Sequence, residues 1–190
     1  MDNNPIGQEL IKHAIFRLNE NKAKIISCLD WLTEEEIWQR PNEVSNSIGN
    51  LVLHLAGNLG QYIVSSLGGH EDKRDRDAEF SACGGMSKSA LIHLMNKEIK
   101  VACETLETIS EKDLISKYNV QGFRYTGVGN VLHAVEHFSY HTGQIAFWTK
   151  IVREQDLGFY AGIDLNKKNE GKERCFCIKI TLIYSRFHRC

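Results

Sequence analysis

Proline is nearly missing from this chain: Pro5 and Pro41 are the only two in 190 residues. Proline breaks helices from within, so everything beyond residue 41 is free to be helical. No apolar run approaches the about 18 residues a transmembrane helix needs, so no membrane span is expected. The N-terminal MDNNPIGQELIKH is polar and has no basic start, which argues against a signal peptide. There is no CxxC pair, and Cys28, Cys83, Cys103, Cys175, Cys177 and Cys190 are irregularly spaced. That spacing fits neither a disulfide framework nor a structural zinc site; reduced thiols in a cytoplasmic protein are expected instead. Charge of one sign is also lacking. A formal net charge of -1 gives no reason to expect nucleic acid or an anionic membrane as partner.

What is present is helical periodicity. From about 6 to 32, Leu10, Ile11, Ala14, Ile15, Leu18, Ile25, Ile26 and Leu29 recur at three- and four-residue steps, with Pro5 near the first turn. Thr33 and Glu36 form a capping box for a short helix that Arg40-Pro41 stops. Ser45 and Ser47 offer caps for a second long helix, about 48–67, closed by Gly68-Gly69. The charged segment HEDKRDRDAEFSACGG (70–85) reads as a long loop of the kind that often carries function. Ser87 caps a third helix, about 88–109, and Ser110 can cap one further turn. KYNVQGFRYTG (117–127) alternates around a glycine and predicts a small hairpin or an extended loop. A fourth long helix covers about 128–153. The expectation is an all-α four-helix bundle, with connections long enough to permit a topology other than up-down.

Residues 164–190 fall outside that pattern. A polar linker, DLNKKNEGKER, precedes the β-branched, aromatic CFCIKITLIYSRF. This tail holds seven Lys/Arg against three Asp/Glu, which leaves residues 1–163 with sixteen against twenty-one. The expected organisation is a bundle over 1–163 and a short non-helical C-terminal appendage over 164–190.

The chemistry is concentrated in HAVEHFSYHTGQI. His133, His137 and His141 follow at four-residue steps, so on a helix their rings share one face. His133 and His141 stand about 12 Å apart along the axis, too far to share one ion through bonds of about 2.0–2.1 Å. A metal would therefore sit between His133 and His137 or between His137 and His141. His54, in the middle of LVLHLAGNLG, is the natural third ligand. Asn50 and Asn58 flank it at four-residue steps, and Asn130 and Gln144 extend the fourth-helix seam. Polar stripes aimed at a core are costly unless they satisfy one another, a metal or bound water. The alternative is a set of hydrogen-bonded core histidines. Glu79 and Glu136 are candidate general bases. Arg74 and Arg76 can bind a substrate carboxylate if their loop folds over the site.

HxxxHxGQI late in a four-helix chain, together with a lone histidine on the second helix, resembles the DinB/YfiT-like superfamily of bacterial metal-binding bundles. The stretches WxxPNEVSNSIGNLVLHLAGNLGQYI, KRDRDAEF and VEHFSYHTGQIAFW are closer to a branch of small proteins of undetermined function. The resemblance spans roughly residues 8–160. It implies a divalent metal, zinc or nickel, held by His54, His137 and His141, with His133 one turn outside. It also implies a homodimer and, in some members, transfer of a low-molecular-weight thiol such as bacillithiol or mycothiol. Three neutral nitrogens leave coordination positions open. The expected function is thiol transfer or hydrolysis on a small-molecule substrate; the alternative is a non-catalytic, metal-stabilised module that binds a ligand or partner.

Overall fold

In a computed structural model, the structure describes residues 5–169. The chain divides into two units, 1–159 and 160–190, and every helix and strand described lies in the first. In chain order these are α1 (Pro5–Trp31), α2 (Glu34–Trp38), α3 (Ile48–Leu59), α4 (Arg76–Ser81), α5 (Lys88–Thr108), α6 (Glu111–Ile115), the strands β1 (Lys117–Val120) and β2 (Phe123–Thr126), and α7 (Gly127–Arg153). The chain leaves α3 through a π-helical turn, Gly60–Ser65.

The helix starts have chemical causes. Thr33 and Glu36 satisfy each other's backbone N–H groups, as do Ser47 and Asn50, and Ser110 and Asp113. Ser87 and Thr126 each accept from the third residue beyond. Such caps stabilise a helix by about 1 kcal/mol apiece. Gly69, at φ +71°, supplies the left-handed exit after the second long helix. The hairpin pairs Val120 with Phe123 across Gln121-Gly122, whose φ values of 51° and 80° make the tight turn that matches strand twist.

The four long helices close around Leu18, Ile25 and Leu29 of α1, Leu55 and Leu59 of α3, Leu91, Met95 and Ile99 of α5, and Phe138 and Ile145 of α7. Burying one such side chain stabilises the fold by about 1.5–3 kcal/mol. α1 packs against α5 and α7, and α3 packs against the same two. Helices consecutive in the chain, α1 with α3 and α5 with α7, therefore sit on diagonals. The long connections 32–47 and 109–126 allow these crossings. The arrangement is not up-down, and its consequence for chemistry is direct: α3 and α7 become neighbours.

One expectation needs correction. The charged stretch 70–85 is not simply a loop, because α4 lies inside it. Asp75 caps α4 by accepting from the Ala78 N–H at 2.9 Å, and Asp77 and Glu79 place negative charge in its first turn. Asn50 then ties α4 to α3, donating to the carbonyls of Glu79 (2.9 Å) and Ala82 (2.7 Å). Of the tail, residues 164–169 have no helix or strand, and the strand-like run CFCIKITLIYSRF lies outside the described residues. No described helix is long and apolar enough to cross a membrane.

Candidate metal centre

His54 emerges from the middle of α3 between buried Val52 and Leu55 and is itself 5% exposed. Across from it, α7 presents His133, His137 and His141 beside its buried stripe of Val131, Ala134, Phe138 and Ile145. The Nε2 atoms of His54 and His137 stand 2.7 Å apart. One ring nitrogen from each of His54, His137 and His141 lies within 4.8 Å of the others. Two ligands of one tetrahedral ion, at bonds of about 2.0–2.1 Å, are separated by roughly 3.3 Å, which falls between these two distances. The three imidazoles can hold a metal ion.

Their protonation suits that role. Burial first, then neighbouring His141, His54, His133 and Arg74, hold His137 down at about 3. Burial lowers His141 as well, against an opposing hydrogen bond with Gln144. Both rings are neutral at pH 7, the state in which imidazole binds metal.

His54 is fixed from behind. Its Nδ1 lies 3.0 Å from Glu79 Oε2. Arg74 clamps that carboxylate with both arms, Nε to Oε1 at 2.8 Å and Nη2 to Oε2 at 2.9 Å. Arg74 Nη2 also comes within 3.0 Å of His54 Nδ1, but a ring nitrogen cannot donate and accept at once. Glu79 is the anion and the stronger acceptor, so we assign the proton to Nδ1, donated to Glu79. The Nε2 lone pair of His54 then faces α7, and the 2.7 Å contact is an N–H···N bond donated by His137. Burial alone would raise the Glu79 carboxyl; hydrogen bonds from His54 and Arg74 and the Arg74 charge outweigh it, so it lies below the usual range.

This approach of α4 requires Gly57. A Cβ there would collide with Glu79 Oε1 and crowd Arg74 Nε. Gln61 of the π-helical turn accepts from Arg74 Nη1 at 3.0 Å and donates to Asp72 at 2.7 Å. The ring of Phe80 lies 4.7 Å from that of His54. His141 is held more simply, by an Nδ1–H bond to Gln144 Oε1 at 2.6 Å.

The structure thus brings together His54, His137, His141, Glu79, Arg74 and Gln144. His133 stands one turn outside the trio, stacked on Tyr62 at 4.0 Å and 3.4 Å from the Asn58 amide. Asn50 faces the helix start and α4 rather than the imidazoles. Arg74 is not free for a substrate carboxylate, because Glu79 and Gln61 occupy it. Glu79 is not a free base, because both its oxygens are engaged. Arg76 is exposed and lies over the Phe80 ring at 4.8 Å, and Glu136 is exposed on α7. Sequence reasoning missed Gln61, Tyr62, Asp72 and Phe80. Two signals pointed toward them: Asp75 preceding an acidic first turn, and Gly57 inside an apolar helix, where glycine costs about 1 kcal/mol unless something approaches closely.

A family model described as "Protein of unknown function (DUF1572)" matches residues 5–162. No curated protein matches the chain. Among solved structures, a DinB-like protein from Bacillus subtilis, YjoA, is similar with TM-score 0.59 at 16% identity, covering 76% of this chain and 94% of that one. A DinB-like protein from Bacillus cereus ATCC 10987 gives 0.58 at 17% identity, over 70% of this chain and 87% of that one. A conserved protein from Enterococcus faecalis gives 0.56 at 17% identity, over 82% and 99%. At these identities the likeness establishes the fold, which is that of DinB-like helical proteins.

Proposed function

On the premise that this chain belongs to the DUF1572 family and has the DinB-like fold, we propose that it is a divalent-metal-dependent enzyme acting on a small molecule. One observation carries the reading: three imidazoles from two neighbouring helices bring one ring nitrogen each to within 4.8 Å of the others. Zinc or nickel suits a set of three nitrogen ligands. A bound ion would supply Lewis acidity and favour the ionised form of a thiol or water placed beside it.

The protein's own share is orientation. Arg74 holds Glu79, Glu79 holds the His54 tautomer, and Gln144 holds His141. Three protein ligands leave the remaining positions for substrate, unlike the closed four-ligand shell of structural sites. Hydrolysis would need a general base, yet Glu79 is engaged on both oxygens and Glu136 is exposed on α7. Thiol transfer leans less on one, since a free thiol, with a pKa of about 8.5, is far more acidic than water and would lose its proton to solvent outright beside a bound ion. We therefore place transfer of a low-molecular-weight thiol ahead of hydrolysis.

The test begins with untagged protein purified without chelators. Elemental analysis should find close to one zinc or nickel per chain. Metal-loaded protein is then screened against electrophiles with several low-molecular-weight thiols, and against ester and amide substrates. Turnover that chelation abolishes supports the enzyme. Bound metal without turnover of any pair would favour a metal-stabilised binding module, and absence of metal would remove both readings.

A further inference from the structure

α4 is six residues long, and a helix that short does not hold itself in place. Yet two of its consecutive residues support His54. The Glu79 carboxylate meets Nδ1 at 3.0 Å, and the Phe80 ring lies 4.7 Å from the imidazole. The position of this last turn therefore decides how His54 is held. Asp75 caps α4 from within the same segment, so it stabilises the helix without placing it.

Placement comes from the carbonyls at its C-terminal end. The final backbone bond of α4 is donated by Ala82 to Ala78, which leaves the carbonyls of Glu79 and Phe80 without a helical partner. Asn50 of α3 takes the first at 2.9 Å. Arg40 takes the second: its Nη2 donates to the Phe80 carbonyl at 2.5 Å, from a segment that precedes α3 in the chain. The Arg40 side chain is partly buried, and among the described residues it forms no ion pair and has no other hydrogen-bond partner. A charged donor makes this bond stronger than one from a neutral amide. Pro41 restricts the Arg40 backbone to extended conformations, so the guanidinium is offered from a stiff base. The same segment also fastens the chain beyond α4. Trp38 Nε1 donates to the Met86 carbonyl at 3.0 Å, and Glu34 accepts from the Lys88 N–H at 3.2 Å.

We propose that Arg40 is a positioning residue for the His54 end of the centre: by holding the Phe80 carbonyl, it fixes the turn of α4 from which Glu79 and Phe80 reach the imidazole. Arg40 acts through these two residues and does not touch the trio. Its effect on the His54 tautomer is independent of any ion; its effect on metal affinity rests on the metal-dependent reading. Without Arg40, the last turn of α4 hangs from Asn50 alone at its carbonyls. Glu79 then no longer selects the Nδ1–H form of His54, and the Nε2 lone pair is no longer kept facing α7.

The experiment has one arm without metal and one with it. In the first, chelated protein labelled with nitrogen-15 is examined by long-range proton–nitrogen NMR correlation, which distinguishes the two neutral histidine tautomers. Wild-type His54 should show the Nδ1–H form. Arg40→Met should give a mixture, and Arg40→Lys, whose ammonium can reach the same carbonyl, should restore the single form. His141, set by Gln144, should keep its pattern throughout. Ser110→Ala, which removes the cap of α6 and so costs stability away from α4, should leave His54 as in wild type. A His54 pattern unmoved by Arg40→Met overturns the proposal. So does a change that His141 shares, that Ser110→Ala reproduces, or that lysine fails to reverse. In the second arm, zinc affinity is measured by competition with a chromophoric chelator. It should fall about tenfold in Arg40→Met and recover in Arg40→Lys; unchanged affinity in the methionine variant overturns the role of Arg40. If the wild-type protein binds no zinc, the metal-dependent reading falls and the tautomer arm alone decides.

Discussion

The centre is built from two unlike halves. On α3, His54 is immobilised: Glu79 accepts a hydrogen bond from its Nδ1–H, Arg74 grips Glu79 twice, Gln61 grips Arg74, and Gly57 makes the room. On α7, His137 meets His54 through Nε2 and stacks near its own neighbours, while His141 leans on an exposed glutamine. Loaded with metal, a site assembled this way would have one reference ligand and two adjustable ones. Such a division would let an ion set its geometry through the α7 rings, at the cost of a buried Arg–Glu pair behind α3. The deep side should be sensitive to any change of charge or shape, and the α7 side tolerant of all changes except loss of a ligand nitrogen.

The largest effect expected is at His137, the ring closest to His54. His137→Ala should abolish stoichiometric zinc or nickel by elemental analysis, with helicity retained. His133→Ala, one turn along the same face, should leave metal content unchanged. Metal retained in the first variant, or lost in the second, would break the assignment of ligands.

Next comes the clamp behind His54. Glu79→Gln removes the charge that fixes the tautomer and leaves the Arg74 guanidinium buried opposite a neutral group. Metal affinity, measured by competition with a chromophoric chelator, should fall by about 10- to 100-fold, as is usual when the group supporting a histidine ligand is lost. Breaking a buried ion pair also costs about 3–5 kcal/mol of stability, visible as a lower denaturation midpoint in the metal-free protein. Gly57→Ala should reproduce part of both effects, because a methyl group there displaces the same carboxylate.

Acid should act on the α7 half in a definite direction. His137, held at about 3, and His141, also lowered, are neutral in the folded protein and ordinary in the unfolded chain. Between about pH 6.5 and about 3 the unfolded chain binds more protons. The stability of the chelated protein is therefore complete above about 6.5 and is lost as pH falls toward 3. Urea titrations across that range should show the slope, and His137→Leu should flatten it. Metal, where loaded, should be released on acidification, since only neutral rings hold it.

Much of this was readable from spacing alone. Ser47, Ser87 and Ser110 marked helix starts, the four-residue ladder placed three rings on one face, and His54 declared itself as a histidine among leucines. All are local properties, settled within one or two turns. What escaped depends on residues brought together across the chain. The diagonal placement of α1 against α3 is decided by packing, not by any one helix. Arg74 read as a substrate clamp and Glu79 as a free base because their partners, Gln61 and His54, come from α3 and the turn that follows it. The π-helical turn that presents Gln61 and Tyr62 opens on Gly60, whose backbone stays right-handed helical and beside which nothing packs closely, so that glycine does not announce it. Even so, Gly57 was a visible anomaly, and a glycine inside an apolar helix is a reason to look for something pressing against it.

The smallest effect expected is at Gln144, and it bears most directly on the contrast between the halves. Its Oε1 accepts the Nδ1 proton of His141 at 2.6 Å, just as Glu79 accepts that of His54. The two bonds differ in setting. Glu79 is charged, 8% exposed and pinned by an arginine, whereas Gln144 is neutral and exposed, so water can take its place. Gln144→Ala should therefore lower metal affinity by only about threefold, near the worth of one neutral hydrogen bond open to solvent, with no measurable change in stability. Measured beside Glu79→Gln in the same chelator competition, it gives a ratio of the two supports. A large ratio means that α3 sets the geometry of the centre and α7 follows; a ratio near one means that the halves are equivalent, and the picture of a fixed reference ligand has to be given up.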